Sequence, residues 1–183
     1  MAVQLYFGHI LHQLLGVLSA DEEVPPAHQR AAAFSLSRMM SEDKIHGFAT
    51  RIVLSALHRP LLEVTVLPLR DQDTSSRLTS GITLTPSETI RTLQALLTNT
   101  DPSPTLVSSL LTPVIAPLYG LLYALDSVKT SDPAQKTTVR GILRTWGRLA
   151  DTVEGMAILW SIVDGEGGEW RVSILGDISR VEQ

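Results

Sequence analysis

The polar residues with the clearest chemical pattern lie on one expected helix near the C-terminus. Four basic side chains recur there at every fourth position: Lys136, Arg140, Arg144 and Arg148. Because a helix turns by about 100° per residue, these side chains share a strip about 120° wide, opposite the apolar residues of the same helix. Guanidinium donors match carboxylate and phosphate oxygens, so the strip suits an acidic or phosphorylated protein segment. The alternative is a solvated outer face whose charge repulsion is relieved by acids on adjacent helices. This explains the same pattern without a partner.

A histidine pair is the second group of residues that could do chemistry. His9 and His12 are three positions apart and could share one helical face, as metal ligands often do. A metal site needs further ligands, and the nearest carboxylates in the sequence are at residues 21–23. We therefore favour a packed or partly exposed histidine pair. Convergence of the pair with carboxylates in a pocket would favour an enzyme instead.

Motifs that place a nucleophile beside a base do not occur in this sequence. It contains no Gly-x-Ser-x-Gly, no His-Glu-x-x-His and no lysine-containing P-loop. The glycine-rich segment 164–169 carries acids that would repel phosphate, so it reads as a flexible turn. We expect no catalytic residue, no metal site and no cofactor.

Composition bounds the class of protein. The chain has 183 residues, of which 44% are hydrophobic and 5% aromatic, which fits one domain or a few repeats around an aliphatic core. The lack of cysteine excludes disulfides and thiolate chemistry. A net charge of −4, with neither half concentrating one sign, argues against direct nucleic-acid binding.

Capping residues and prolines mark where the helices that position these side chains begin. Thr85-Pro86-Ser87-Glu88 predicts a capping box, and Asp132 or Ser131 precedes Pro133. Asp151 and Glu154 predict a second capping box at the start of the last helix. Ser41 is the expected cap of another helix. The predicted helices are 3–18, 26–40, 42–57 before Pro60, 86–97, a segment from Pro104 that bends or breaks at Pro113 and Pro117, 133–149, and 151–164.

Apolar stripes on these helices predict how they pack. In the last helix the residues that face one way are Val153, Met156, Ala157, Trp160 and Val163. Beyond the glycines, segments 170–175 and 178–181 flank Gly176-Asp177, a pair suited to a two-residue hairpin turn. Residues 61–69 would allow a short strand.

An all-α fold follows, because each amphipathic helix needs a neighbour to bury its apolar face. We expect antiparallel helix pairs stacked as a HEAT/armadillo-like α-solenoid, with a short C-terminal β-hairpin. Gln29-Arg30, Ile90-Arg91 and Val139-Arg140 resemble the second helices of HEAT repeats, although their spacing is irregular and a closed bundle is the alternative. The expected organisation is a helical repeat domain over 1–164, with a mobile loop near 70–84, and a glycine turn with a hairpin tail over 165–183.

Two uncharged stretches raise the question of membrane contact. Residues 1–20 lack the basic start of a signal peptide. Residues 102–125 are leucine-rich but contain serines, Thr112, Pro113 and Pro117, so a buried helix pair accounts for them without a bilayer. Membrane insertion of this stretch remains the less favoured alternative.

Four short segments in the C-terminal half carry a family resemblance. They are 110–119 (LLTPVIAPLY), 128–133 (VKTSDP), 146–148 (WGR) and 167–170 (GGEW). Together, over roughly residues 85–183, they resemble the RNA polymerase II assembly and nuclear-import factors, whose animal relatives are transport and Golgi organisation proteins. The resemblance lies in layout more than in any one motif.

This resemblance implies a HEAT-like scaffold that helps RNA polymerase II subunits reach the nucleus, with no catalytic residues. It also implies a cytoplasmic location with shuttling to the nucleus. Members of that family are much longer, so the chain would be a C-terminal piece or a truncated form. An uncharged first helix resembles an internal repeat that needs covering, which predicts self-association or poor solubility of the isolated chain.

Two functional hypotheses follow from the sequence. The first is a noncatalytic scaffold for protein partners, either polymerase subunits or acidic peptides, with Lys136, Arg140, Arg144 and Arg148 as partner-binding residues. The second is a membrane-associated factor in protein secretion and Golgi organisation, with 102–125 as its bilayer contact.

Overall fold

Helices form most of the computed structural model, and a short antiparallel sheet follows them. The structure describes residues 2–20, 24–42, 47–64, 83–101, 103–128, 132–173 and 177–181. The helices are α1 (Ala2–Ser19), α2 (Pro26–Ser41), α3 (Phe48–Leu62), α4 (Pro86–Asn99), α5 (Pro104–Leu111), α6 (Ile115–Ser127), α7 (Pro133–Leu149) and α8 (Thr152–Val163). A 3₁₀ turn, Thr112–Val114, joins α5 to α6, and the strands are β1 (Glu169–Val172) and β2 (Ile178–Val181).

The capping residues predicted from the sequence begin three of these helices. The Thr85 and Glu88 side chains each accept a hydrogen bond from the other residue's backbone N–H, at 3.3 and 2.7 Å, which is a complete capping box. Asp132 accepts from the Ala134 N–H at 2.9 Å, and Asp151 accepts from the Val153 N–H at 2.8 Å. The second capping box predicted with Glu154 does not form, because that side chain accepts a hydrogen bond from Ser108 on α5 instead. These caps satisfy amides that have no partner within the helix.

The start and end of α3 differ from the prediction. Ser41 ends α2 and does not cap α3, which begins after Gly47 in a left-handed conformation (φ 69°). The helix also runs through Pro60 to Leu62. Leu61 is fully buried, so core packing outweighs the hydrogen bond that proline removes near the helix end.

The prolines of the α5–α6 segment have different effects. Pro113 lies in the 3₁₀ turn, where the helix breaks as predicted. Pro117 lies in the first turn of α6, where its missing N–H would have no helical partner, and it causes no break. The break that the sequence allowed at Pro117 is therefore not found.

The core is aliphatic, and α4 lies at its centre. This helix packs against α1, α2, α3 and α7, while α6 packs against α7, α8 and β1. Side chains of 1% exposure or less come from most of the helices and include Leu11, Leu15, Leu36, Leu57, Leu61, Ile90, Leu93, Leu96, Leu110, Leu111, Ile115 and Leu118.

The C-terminal hairpin is present, but its turn is longer than predicted. Glu169 pairs with Val181 and Val172 with Ile178. The Ser173 N–H then donates to the Asp177 carbonyl at 2.8 Å, so Asp177 continues the pairing and does not form a two-residue turn with Gly176. Most of the expected mobile loop near 70–84 and the possible strand near 61–69 lie outside the described residues.

Candidate protein interface

Two of the four side chains in the predicted basic strip contact one carboxylate of the neighbouring helix. Arg140 donates through Nη2 to both carboxylate oxygens of Asp126, each at 2.9 Å, and Lys136 Nζ lies 3.7 Å from Asp126 Oδ1. Asp126 is in the last turn of α6, which packs against α7. The contacts of Lys136 and Arg140 therefore match the alternative interpretation, in which an acid on an adjacent helix relieves the charge repulsion within the strip.

Arg144 and Arg148 remain on the outer side of α7. Both are exposed, and among the described residues neither forms an ion pair. Arg144 and Arg148 are therefore the two guanidinium groups of the strip that have no ion-pair partner among the described residues. An acidic or phosphorylated partner would contact this half of the strip.

The histidine pair on α1 gathers no further ligands among the described residues, and the carboxylates at 21–23 lie outside them. His9 and His12 are exposed, and His9 Nε2 lies 3.1 Å from Gln13 Nε2. Among the described residues, no three histidine or carboxylate side chains lie together in an arrangement that could hold a metal ion.

A different histidine, which the sequence did not single out, links two helices. His58 on α3 donates from Nε2 to the Leu110 carbonyl on α5 at 2.9 Å. The acceptor is a carbonyl, so this nitrogen must carry the proton. Burial lowers the pKa of His58 below 6.5, and the hydrogen bond to Leu110 partly opposes that shift.

We expect the stability of the protein to fall with acid partly because of His58. Its pKa is lower in the folded than in the unfolded state, so just below pH 6.5 the unfolded chain binds more protons. The free energy of unfolding then decreases as the pH drops through the unfolded value and levels off below the folded one. Urea titrations between about pH 7 and 5 should show a shallower decrease for His58→Gln, which keeps an N–H donor. His28→Gln, at an exposed position, should follow the wild type; identical slopes for all three proteins would contradict the assignment.

Helix α8 presents its apolar stripe to solvent. None of its 12 residues is buried, and Val153 and Trp160 are 79% and 62% exposed. Ile158 and Ile162 pack towards the core, and Ser108 donates to Glu154 at 2.7 Å, which attaches the other side of the helix to α5. The stripe that the sequence identified is real, but within the described residues no neighbouring helix covers it.

A groove of about 560 Å³ lies between α6, the glycine turn and β1. We call it the aromatic groove, after Tyr119, Tyr123 and Trp170 in its wall. The two tyrosines are 50% and 74% exposed. Sequence reasoning missed this groove, because no motif signals that the turn returns to α6.

Glycines allow this turn to pack against α6 instead of projecting freely. A Cβ on Gly167 would lie 2.7 Å from the Ala116 carbonyl oxygen, and one on Gly120 would lie 3.1 Å from the Gly167 oxygen. The Trp170 indole N–H donates to the Gly167 carbonyl at 3.3 Å. The close approach of these two backbone segments therefore fixes α6 and the glycine turn, which form the two walls of the groove.

One helical stretch passes a membrane-span test by length and composition. It is Pro104–Ser127, 24 residues including the 3₁₀ turn, and half of the tested window is buried inside the protein. Core helices often pass the same test, so the result is weak evidence for a bilayer.

No family model matches the chain, and no curated protein or solved structure matches it either.

Proposed function

We propose that this protein is a noncatalytic helical-repeat scaffold that binds protein partners. The observation that supports the proposal is the aromatic groove. In this groove two exposed tyrosines lie beside the glycine turn, whose backbone packs directly against α6. Tyrosine and tryptophan are enriched at protein interfaces because they combine a large apolar surface with a polar tip. A groove open along one side accepts a segment of another protein.

The helix contacts support an α-solenoid of stacked pairs. The pairs are α1 with α2, α3 with α4, and α6 with α7. The second helices of the pairs form one row, in which α2 contacts α4 and α4 contacts α7. The first helices form another row, in which α1 contacts α3, α3 contacts the α5–α6 segment, and α6 contacts α8. Contact of α1 with α4 is the diagonal expected between two adjacent pairs.

We propose RNA polymerase II subunits as the partners, and assembly and nuclear import as the process. This part rests on the family resemblance of the C-terminal half. The same resemblance supports a cytoplasmic location with shuttling to the nucleus. Arg144 and Arg148 would add contacts to an acidic segment of the partner.

Affinity purification of the full tagged chain tests the groove. Tyr119→Ala with Tyr123→Ala should reduce recovery of polymerase subunits at least about tenfold, as expected for aromatic residues at the centre of an interface. Tyr6→Ala is the matched control, because Tyr6 is 66% exposed and lies on α1, away from the groove. Subunit recovery should be unchanged in this control.

Two results would contradict the proposal. One is an absence of polymerase subunits with the wild-type chain. The other is equal recovery with the double variant and the wild type, since the partner would then bind elsewhere. Circular dichroism should show the same helicity for all variants, because both tyrosines project into solvent.

A membrane-associated factor in secretion and Golgi organisation is the second candidate. The apolar stretch Pro104–Ser127 favours it by length and composition. The two functions differ in extraction from cells. Release by salt supports the scaffold, whereas a requirement for detergent supports membrane insertion.

A further inference from the structure

The aromatic groove offers ring surfaces that no other ring covers. Tyr119 and Tyr123 are one helical turn apart on α6, so both project from the same side of that helix. Among the described residues, neither tyrosine nor Trp170 stacks on another aromatic ring. The face of an aromatic ring carries partial negative charge, so it attracts a cation that lies over it.

Hydrogen-bond donors along the groove are largely used within the protein. The Ser127 hydroxyl donates to the Tyr123 carbonyl at 2.8 Å, and the Trp170 indole donates to Gly167. Three backbone N–H groups of the glycine turn donate to carbonyls of that turn or of α8. Apart from the two tyrosine hydroxyls, which also accept, the groove therefore suits a group that brings its own donors.

The charge that lines the groove is negative. Within the described residues, Glu169 is the one charged residue of its wall. Asp164 and Glu166 are exposed nearby in the glycine turn. In the part of the chain that the structure describes, none of these three acids forms an ion pair.

The cations nearest to the groove do not line it. Arg180 donates through its guanidinium group to two carbonyls at the end of α3. Arg171 is exposed on β1, outside the wall of the groove. Lys136 and Arg140 contact Asp126, and this cluster also lies outside the wall. A cation that enters the groove therefore meets ring faces and the Glu169 carboxylate.

We propose that the aromatic groove binds an arginine side chain on a segment of the partner protein. A guanidinium group is planar, stays charged, and brings N–H donors but no acceptor. It can stack on a tyrosine or indole face while two of its N–H groups bond to one carboxylate, here Glu169. This inference rests on the proposed function, because it names the group that the same groove recognises.

Other occupants match the groove less well. An acidic or phosphorylated segment would bring negative charge next to Glu169. A proline-rich segment would use the ring surfaces but would leave the carboxylate without a partner. A lysine ammonium group is a compact point charge that cannot stack on a ring or make two parallel bonds to one carboxylate.

Two synthetic peptides that differ in a single group test this binding. One is acetyl-Gly-Ser-Arg-Ser-Gly-amide, and the other has citrulline in place of arginine, which keeps the length of the side chain but carries no charge. Each is titrated into the full isotope-labelled chain, and the indole N–H signal of Trp170 is followed by nuclear magnetic resonance. The arginine peptide should bind at least about threefold more tightly, because only its side chain forms cation–π contacts and an ion pair.

A variant of the carboxylate tests the role of Glu169. Glu169→Gln should weaken binding of the arginine peptide about threefold or more and leave the citrulline peptide unchanged. Glu42→Gln is the matched control, because it changes the net charge equally at the end of α2, outside the groove. This control should bind both peptides like the wild type.

Three results would overturn the proposal. They are equal affinity for the two peptides, no binding of the arginine peptide, and an arginine affinity that Glu169→Gln leaves unchanged. A proline-rich peptide, acetyl-Pro-Pro-Ser-Pro-Pro-amide, that binds more tightly than the arginine peptide would also overturn it.

The arginine proposal and the polymerase proposal fail separately. If recovery of polymerase subunits depends on Tyr119 and Tyr123 but Glu169→Gln has no effect on either assay, the scaffold stands and the arginine is wrong. If polymerase subunits are not recovered but the arginine peptide binds through Glu169, the polymerase assignment is wrong and the arginine stands.

Discussion

Leu118→Ala is expected to lower the free energy of unfolding by about 2–5 kcal/mol, the usual range for truncating a buried leucine. Leu118 lies on α6 and is 0% exposed, among core side chains that α6 and α7 share. Alanine would remove the contacts of the leucine side chain and leave a cavity that close-packed neighbours fill only in part.

Urea unfolding followed by circular dichroism measures this loss. Leu122→Ala is the control on the same helix, because Leu122 is only partly buried and its truncation should have a clearly smaller effect. Equal losses for the two variants would mean that α6 does not insert Leu118 into the core. That result would reopen a bilayer role for Pro104–Ser127, which the burial of Leu118 within this stretch opposes.

Helix beginnings were the most predictable part of the fold, because the contacts that create them span two or three residues. The box of Thr85 with Glu88 and the caps Asp132 and Asp151 can be recognised from the sequence, whereas the predicted box partner Glu154 bonds to Ser108, 46 residues away. The break at Pro113 was predictable for the same reason, since it follows from the covalent structure of proline. Pro60 and Pro117 were not, because burial and position within the helix decide whether a proline interrupts it.

Periodicity identified the apolar stripe of α8 but could not identify what covers it. A stripe such as Val153, Met156 and Trp160 has the same spacing whether it faces a core or a partner. Only the packing of the other side, where Ile158 and Ile162 contact the core, shows that this stripe points outward. Exposure of such a face is therefore a property of the assembled fold.

The candidate site was predictable only in part, for the same physical reason. Helical spacing placed Arg140 and Arg144 on one side of α7. Arg140 differs from Arg144 in being ion-paired, and its partner is Asp126, 14 residues earlier in the chain. His58 and Leu110 are 52 residues apart, and no local pattern joins them. Contacts of this kind depend on how the helices pack against one another. The residues near a given position in the sequence do not determine that packing.

Arg180 makes the contact with the largest separation in sequence, because it joins the hairpin to the end of α3. Its Nη1 donates to the carbonyls of Leu61 and Leu62 at 3.0 and 2.5 Å, and Nη2 lies 3.5 Å from the Glu166 carbonyl oxygen. Partial burial lowers the pKa of Arg180, and the carbonyl acceptors offset part of the lost hydration. A cationic donor therefore satisfies acceptors at the end of a helix, where carbonyls have no helical partner.

Arg180→Ala should reduce the free energy of unfolding by about 1.5–3 kcal/mol, the range for hydrogen bonds to a charged group. Arg180→Lys should recover only part of this, because an ammonium group lacks the planar fork that spans acceptors of α3 and the glycine turn. Arg171→Ala is the control, since Arg171 lies exposed on the paired strand. Hydrogen exchange should locate the loss: amides of β1 and β2 should exchange faster in Arg180→Ala, while those of α4 change less. Unchanged protection of the strands would mean that Ile178 and Trp170 hold the hairpin in place without the arginine.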